Sequence, residues 1–423
     1  MKVQSVRGMK DLLPGEIELW QQVEQEIREV SALYGYSEIR LPLLERTELF
    51  KRSIGEATDI VEKEMYTFLD NSDKSMTLRP EATASCVRAG IEHGLFHNAQ
   101  PRLWYMGSMF RYERPQQGRY RQFHQYGIEA FGWAGPDIDA EIIDIGNTLW
   151  KRLKIARFAR LQINSLGTPD SRATYRRQLV AYFEANHGEL DEDSVRRLKT
   201  NPLRILDSKN PDMQQVIQSA PALSDYLSDE SRDHFNRLLR LLRDLGIEYE
   251  INNRLVRGLD YYNGTVFEWV TDRLGAQNAI CAGGRYDGLA EMLGGREVPG
   301  IGFAMGLERL VDIVRLGDLE PLSTAADVYL CVLGEEAQGQ GYSIAQALRQ
   351  ADVSTIVHCG GGKLARQLRN ADRLSTAIAI IIGQSELEAG NAMIKNLKVD
   401  EPQRAVRISE VVQTVKQMLS TNN

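Results

Sequence analysis

A chain of 423 residues, 43% hydrophobic and 26% charged, is long enough for two or three soluble globular domains and needs no staples to bury its cores. Its net charge of -7 argues against wholesale electrostatic binding of nucleic acid. Locally basic stretches such as Arg111 to Arg121, with four arginines, remain available for phosphate contacts.

The opening residues, MKVQSVRGMKDLLPGE, have no apolar core of signal-peptide length. No run of about 18 apolar residues follows anywhere, so no membrane span is expected and the chain reads as cytoplasmic. Ile17, Trp20, Val23, Ile27 and Val30 have helical spacing and predict a helix over 16–33, with Gly35 as a stop signal. Ile39 to Leu44 has strand character broken by Pro42. Proline cannot donate to a ladder, so this strand belongs at an edge or an interface. Leu103 to Tyr112 and His124 to Trp133 read as two strands of an antiparallel hairpin joined by the polar loop at Pro115 to Arg119. Ile138 to Leu153 is an amphipathic helix.

From Pro169 to Leu245 the chain is helix-rich and highly charged, and at Val256 to Val270 strand character returns. The intervening stretch, about 169–250, reads as a helical insertion in a β-rich domain. A boundary falls near Leu316 to Ala326. Beyond it the predicted elements are a strand at Asp327 to Leu333, a helix at Ala337 to Ala351, a strand at Ser354 to His358, a helix at Lys363 to Arg373 and a strand at Ala377 to Ile382. Alternation of that kind predicts a small α/β domain with parallel neighbours. The domains are therefore placed at 1–320 and 326–423.

Cys86, Cys281, Cys331 and Cys359 form no CxxC pair, so a zinc frame is not expected and packing roles in a reducing compartment are. Two phosphate motifs are superficial. A P-loop ending at Gly362-Lys363 would need its first glycine at Val357, and Leu364 stands where a hydroxyl residue should bind magnesium. Gly300-Ile-Gly302-Phe-Ala-Met-Gly306 has the wrong spacing for a dinucleotide fingerprint. His93, His97 and His124 have no carboxylate frame for a metal, and no metal site is expected.

The arginines are more informative. Phe110-Arg111-Tyr112-Glu113 closes a β-type run, where a strand-borne Arg can present a bidentate fork to phosphate and Glu113 shares its face. The bland reading is a surface salt-bridge ladder. Gly300, Gly302, Ala304 and Gly306 recur on one strand face before Glu308-Arg309, leaving room for a flat ligand or, alternatively, for close helix packing. Arg257-Gly258-Leu259-Asp260-Tyr261-Tyr262 and Gly283-Gly284-Arg285-Tyr286-Asp287-Gly288 bury polar groups that need partners or a ligand. Gln125, Gly127 and Glu129 share a strand face, and Glu81 and Thr83 follow Arg79-Pro80. Together they fit a small amine-bearing substrate.

Over its whole length the chain resembles the histidyl-tRNA synthetases. Phe110-Arg111-Tyr112-Glu113 with its loop, Gly302-Phe-Ala-Met-Gly306-Leu-Glu308-Arg309, and the helix with the Pro42 strand are similar to the three class II signatures. Leu255-Val-Arg257-Gly-Leu-Asp260-Tyr261-Tyr262 and Ala282-Gly-Gly-Arg-Tyr286-Asp-Gly are similar to the histidine-specific blocks. Gln122 to Glu129 and Thr77-Leu-Arg79-Pro-Glu81-Ala-Thr83 agree, except that Ala82 replaces the usual glycine. The resemblance implies an α+β fold: a six-stranded antiparallel catalytic sheet with flanking helices, the helical insertion, a C-terminal anticodon-binding α/β domain and a homodimer. It implies L-histidine, ATP with Mg2+ as a substrate complex, and tRNA(His) as partners. For the residues it implies that Arg111 and Arg257 grip the α-phosphate from opposite sides, with Arg257 in place of a metal. Arg309 would lie by the γ-phosphate and Glu113 by adenine. Glu129 and Tyr262 would read imidazole, Glu81, Thr83 and Gln125 the α-amino group, and Tyr261 and Tyr286 would wall the pocket. Gln116 and Gln117 are candidates to touch the tRNA acceptor end. Two alternatives are a histidine-sensing regulatory subunit of ATP phosphoribosyltransferase and a class II synthetase for another amino acid. Regulatory subunits of that kind typically lose the Arg257-type block and the C-terminal domain, both present here.

Overall fold

The computed structural model describes residues 3–55, 58–116, 118–206, 208, 210–274, 278–319 and 325–421. The chain divides into two compact units, Met1–Pro321 and Leu322–Asn423.

In the first unit the elements run α1 (Ile17–Leu33), β1 (Ser37–Glu38), β2 (Leu44–Arg46), α2 (Thr47–Ile54), β3 (Tyr66–Leu69), β4 (Ser75–Leu78), α3 (Thr83–Glu92), β5 (Arg102–Phe110), β6 (Gln122–Phe131), α4 (Pro136–Arg152) and β7 (Arg160–Ser165). The insertion follows as α5 (Pro169–Ala185), α6 (Glu192–Thr200), α7 (Gln214–Gln218) and α8 (Asp229–Asp244), with short 3-10 turns between them. Then come β8 (Tyr249–Ile251), β9 (Asn263–Val270), β10 (Ala279–Arg285), α9 (Leu289–Met292), β11 (Gly300–Gly306) and α10 (Leu307–Val314).

The main sheet has the order β1-β5-β6-β11-β10-β9-β7-β8. Its six central strands, β5 to β7 in that order, are antiparallel throughout. Short parallel strands, β1 against β5 and β8 against β7, extend each edge. One face packs on α1, α4 and α10. Val23, Ile27 and Val30 of α1 are fully buried there, each worth about 1.5–3 kcal/mol of apolar transfer. The other face carries the cleft described below.

Two expected strands are shorter than their patterns suggest. Of Ile39 to Leu44 only Leu44 is strand, because Pro42 has no N–H to give a ladder. Arg79 serves this bend instead: its Nη1 donates to the Leu41 carbonyl at 2.9 Å and its amide to Leu43 at 2.9 Å. The flanking β1 and β2 are both edge strands. Val256 to Val270 is strand only from Asn263. Residues 252–262 form a loop, held where Asn164 Nδ2 donates to the Leu255 carbonyl at 3.1 Å.

In the second unit β12 (Val328–Val332), α11 (Gln338–Gln350), β13 (Thr355–Val357), α12 (Leu364–Arg373) and β14 (Ile378–Ile382) alternate as expected. β13, β12 and β14 are parallel neighbours. The sequence reading missed α13 (Gln384–Glu388), the antiparallel strands β15 (Asn391–Asn396) and β16 (Arg404–Arg407), and α14 (Val411–Thr421), so the sheet is mixed. β15 alternates burial and β16 is largely exposed, which weakens their apolar signal.

Candidate active site

The floor of the site follows from strand register. Gln125, Gly127 and Glu129 lie on one face of β6, as strand alternation requires. Gly127 stands between Tyr105 on β5 and Ala304 on β11, and Glu129 stands opposite Gly302. A Cβ on Gly302 would fall 1.9 Å from Glu129 Oε2, and one on Gly127 would fall 2.3 Å from the Tyr105 hydroxyl oxygen. These glycines let a carboxylate and a phenol ring lie flat on the sheet. The space that the small residues were expected to leave for a ligand is therefore partly filled from within: Tyr286 covers Gly300 and Glu129 covers Gly302, while Gly306 alone of the three stays uncovered.

Glu129 is 1% exposed and accepts three hydroxyl protons. Thr83 Oγ1 donates to Oε1 at 2.7 Å, Tyr105 to Oε1 at 3.1 Å, and Tyr286 to Oε2. A carboxylate has about four acceptor positions, so one is left. Burial pushes its pKa up to about 8, against the pull of Tyr286 and Thr83. Glu81 is also buried and also raised, first by burial. Its two oxygens take the amides of Thr83 (2.7 Å) and Ala84 (3.0 Å) at the start of α3, where the helix dipole favours an anion. Gln125 is buried, and its Oε1 has no partner. A buried amide oxygen left open is an acceptor waiting for a donor.

The wall is cationic and aromatic. Arg111 Nε donates to the Pro80 carbonyl at 2.8 Å, and its guanidinium rests over the Phe123 ring at 5.3 Å. Glu113 pairs with Arg119 at 3.0 Å. Arg309, in the first turn of α10, donates to the carbonyls of Gly118 and Ala279, both at 3.1 Å. Burial, then Arg119, lowers its pKa. Arg257 pairs with Glu268 on β9 and lies over the Tyr262 ring at 5.5 Å. Tyr261 packs on Tyr262 at 4.7 Å between ring centroids and on Tyr286 at 5.8 Å. The insertion grips this loop: Arg172 Nη1 donates to the Tyr262 carbonyl at 2.5 Å, and Asn201 Nδ2 to Asp260 at 2.9 Å.

Glu81, Thr83, Arg111, Glu113, Gln125, Arg257, Tyr261, Tyr262 and Arg309 all line one cleft of about 240 Å³. Glu129 and Tyr286 lie beneath it. Arg285 belongs elsewhere: it is buried against Asp139 at 2.5 Å and is structural. The histidines do not cluster. His124 binds Glu308 at 3.0 Å, and His93 caps α3. Gln116 exchanges backbone hydrogen bonds with Arg119; Gln117 lies outside the described residues.

The family model described as histidyl-tRNA synthetase matches residues 8–310, and that of the anticodon binding domain matches residues 327–418. The chain belongs to the histidyl-tRNA synthetases, class II aminoacyl-tRNA ligases. The apo histidyl-tRNA synthetase of S. aureus is similar at 34% identity and a TM-score of 0.83, over 98% of this chain and 100% of that one. The histidyl-tRNA synthetase of Nostoc sp. gives a TM-score of 0.69 at 22% identity, over 99% of this chain and 100% of that one. An ATP phosphoribosyltransferase regulatory subunit/histidyl-tRNA synthetase from Bacillus halodurans gives 0.64 at 21%, over 88% of this chain and 97% of that one. At those two identities the likeness is one of fold.

In this synthetase the carboxylates on the cleft wall are already engaged: Glu113 with Arg119, Glu268 with Arg257, Glu308 with His124. Among the described residues no group of three or more His, Cys, Asp or Glu is placed to hold a metal, and no helix there is long and apolar enough to cross a membrane. Class II synthetases use ATP with Mg2+ as a substrate. The sequence reading missed Tyr105, Glu268 and Phe123. Tyr105 had a signal in its register with Gly127, and Glu268 as the one acid in the apolar run Asn263 to Val270.

Proposed function

We propose that this synthetase activates L-histidine in two steps within the cleft. A histidine carboxylate oxygen attacks the α-phosphorus of ATP, and magnesium pyrophosphate leaves. A terminal ribose hydroxyl of tRNA(His) then attacks the adenylate carbonyl, gives up its proton, and AMP leaves. Phosphoryl transfer needs positioning and charge neutralisation more than covalent help. Arg111 and Arg257 supply that to the α-phosphate, Arg309 to the γ-phosphate, and Glu113 accepts from the adenine amine.

The observation that carries this reading is that two arginines from separate elements share a cleft above a buried carboxylate that has one acceptor position open. That open position suits an imidazole N–H, with Tyr262 beside it and Tyr261 and Tyr286 as walls. The unpartnered Gln125 oxygen and Glu81 suit the α-ammonium. Thr83 spends its proton on Glu129 and keeps lone pairs for the same group. The C-terminal unit takes the anticodon. We place the protein in the cytoplasm as a homodimer, a state favoured by the exposed Leu43, Leu44, Phe68 and Leu69 about the three-stranded sheet β2-β4-β3.

Histidine-dependent exchange of pyrophosphate into ATP tests the reading. Arg257→Ala should cut kcat by over a hundredfold, about 3 kcal/mol, with little change in histidine affinity. Clear histidine binding with no exchange in the wild type would instead favour a histidine-sensing protein. Equal losses in kcat and affinity would remove Arg257 from the chemistry.

A further inference from the structure

Arg111 and Arg257 face the same cleft but are built differently. Arg111 follows directly on β5, with its Nε on the Pro80 carbonyl and its amide donating to the Arg121 carbonyl at 2.9 Å. Arg257 sits in the loop before β9, and among the described residues neither its amide nor its carbonyl has a hydrogen-bond partner. A long side chain on such a backbone has the rotamer freedom that a transition-state contact cannot tolerate.

One side chain removes that freedom. Glu268 lies in mid-strand on β9, in register with Gln162 on β7 and Ala282 on β10. Its Oε1 takes Arg257 Nη1. The pair is mostly buried, at 16% and 19% side-chain exposure. Burial works most strongly against the Arg257 cation, and Glu268 together with Tyr262 and Tyr261 more than offsets it. The remaining arm is informative: Arg257 Nε is buried without a partner, and apart from Nη1 on Glu268 the guanidinium has the Tyr262 side chain beside it. Nε and Nη2 form the side edge of the guanidinium, the two-donor edge that matches a phosphate or carboxylate.

We infer that Glu268 is a positioning residue that holds Arg257 by one arm and turns its two-donor edge to the reacting phosphate. This rests on the role proposed above for Arg257. Glu268 lines the same cleft, and in this reading it acts through Arg257.

The test is a double-mutant cycle in histidine-dependent pyrophosphate exchange, on the full-length protein. Glu268→Ala should lower kcat ten- to a hundredfold and move histidine KM less than threefold. Glu268→Gln, which keeps an acceptor but no charge, should fall between Glu268→Ala and wild type. In an Arg257→Ala background, adding Glu268→Ala should cost less than threefold more. Losses that simply multiply in the double mutant would overturn the proposal, as would a Glu268→Ala enzyme as fast as wild type or faster. If Glu268→Ala does not fold, the same cycle run with Glu268→Gln decides the matter. An Arg257→Ala enzyme of normal activity would sink the reading of Arg257 instead, whatever Glu268 does.

Discussion

Replacing Glu129 by glutamine separates what the pocket costs in stability from what it does for histidine. The substitution keeps size and one acceptor oxygen but removes the titration. Burial raises the Glu129 pKa from 4.5 to about 8. The folded state therefore holds this proton more tightly than the unfolded chain does. Wild-type stability must fall as pH climbs from the ordinary glutamate range towards 8, and level off above it. At about 1.4 kcal/mol per pH step, the loss is about 3 kcal/mol by pH 7 and about 5 kcal/mol above pH 8. Glutamine has no such slope. It does bring an NH2 among three hydroxyls that now donate to the carboxylate, a fixed cost of about 1–3 kcal/mol. Glu129→Gln should thus be less stable than wild type at pH 5 and more stable at pH 8.

All five tryptophans, Trp20, Trp104, Trp133, Trp150 and Trp269, lie in the first unit. Urea titrations followed by tryptophan fluorescence at pH 5, 6, 7 and 8 therefore report that unit alone. A stability difference between the two proteins that stays constant with pH would refute the argument. In exchange assays the same variant should raise histidine KM by roughly 10–100-fold, the value of a charged hydrogen bond.

Three further substitutions probe the same floor. Tyr105→Phe removes one of the three donors to Glu129 and should raise histidine KM about fivefold, near 1 kcal/mol, with ATP KM unchanged in exchange kinetics. Gly302→Ala puts a methyl 1.9 Å from Glu129 Oε2 and 2.2 Å from the Ile128 carbonyl; calorimetry should find histidine binding lost and ATP binding kept. Arg172→Ala takes the donor from the Tyr262 carbonyl and should raise histidine KM roughly tenfold, about 1.5 kcal/mol, whereas an unchanged KM would mean that the insertion does not hold the pocket.

Local chemistry was legible in the sequence, and the partners were not. Helical spacing placed α1 within a residue, and the alternation of β6 put Gln125 and Glu129 on one face correctly. Arg111, Arg257 and Arg309, with Glu81, Thr83 and Gln125, all reached one cleft. What failed depended on contacts far along the chain. No strand forms over 39–43, because Pro42 has no N–H, and Arg79 supplies hydrogen bonds that a ladder would have. Arg285 looked like Tyr286 in its glycine frame, yet Asp139, distant in sequence, turned it into a structural anchor. The glycines of β11 read as space for a ligand because nothing local reveals that Glu129 and Tyr286 fold over them.

Those long-range partners also account for selectivity. Glu129 is a charge that burial resists, and three hydroxyls satisfy it only in part. In the proposed histidine complex an imidazole N–H completes the set. A side chain of similar size without that donor leaves the carboxylate one partner short inside the protein, which costs far more than an imperfect shape fit. The instability that Glu129→Gln should relieve above pH 7 and the discrimination that it should lose are then two measurements of one free energy.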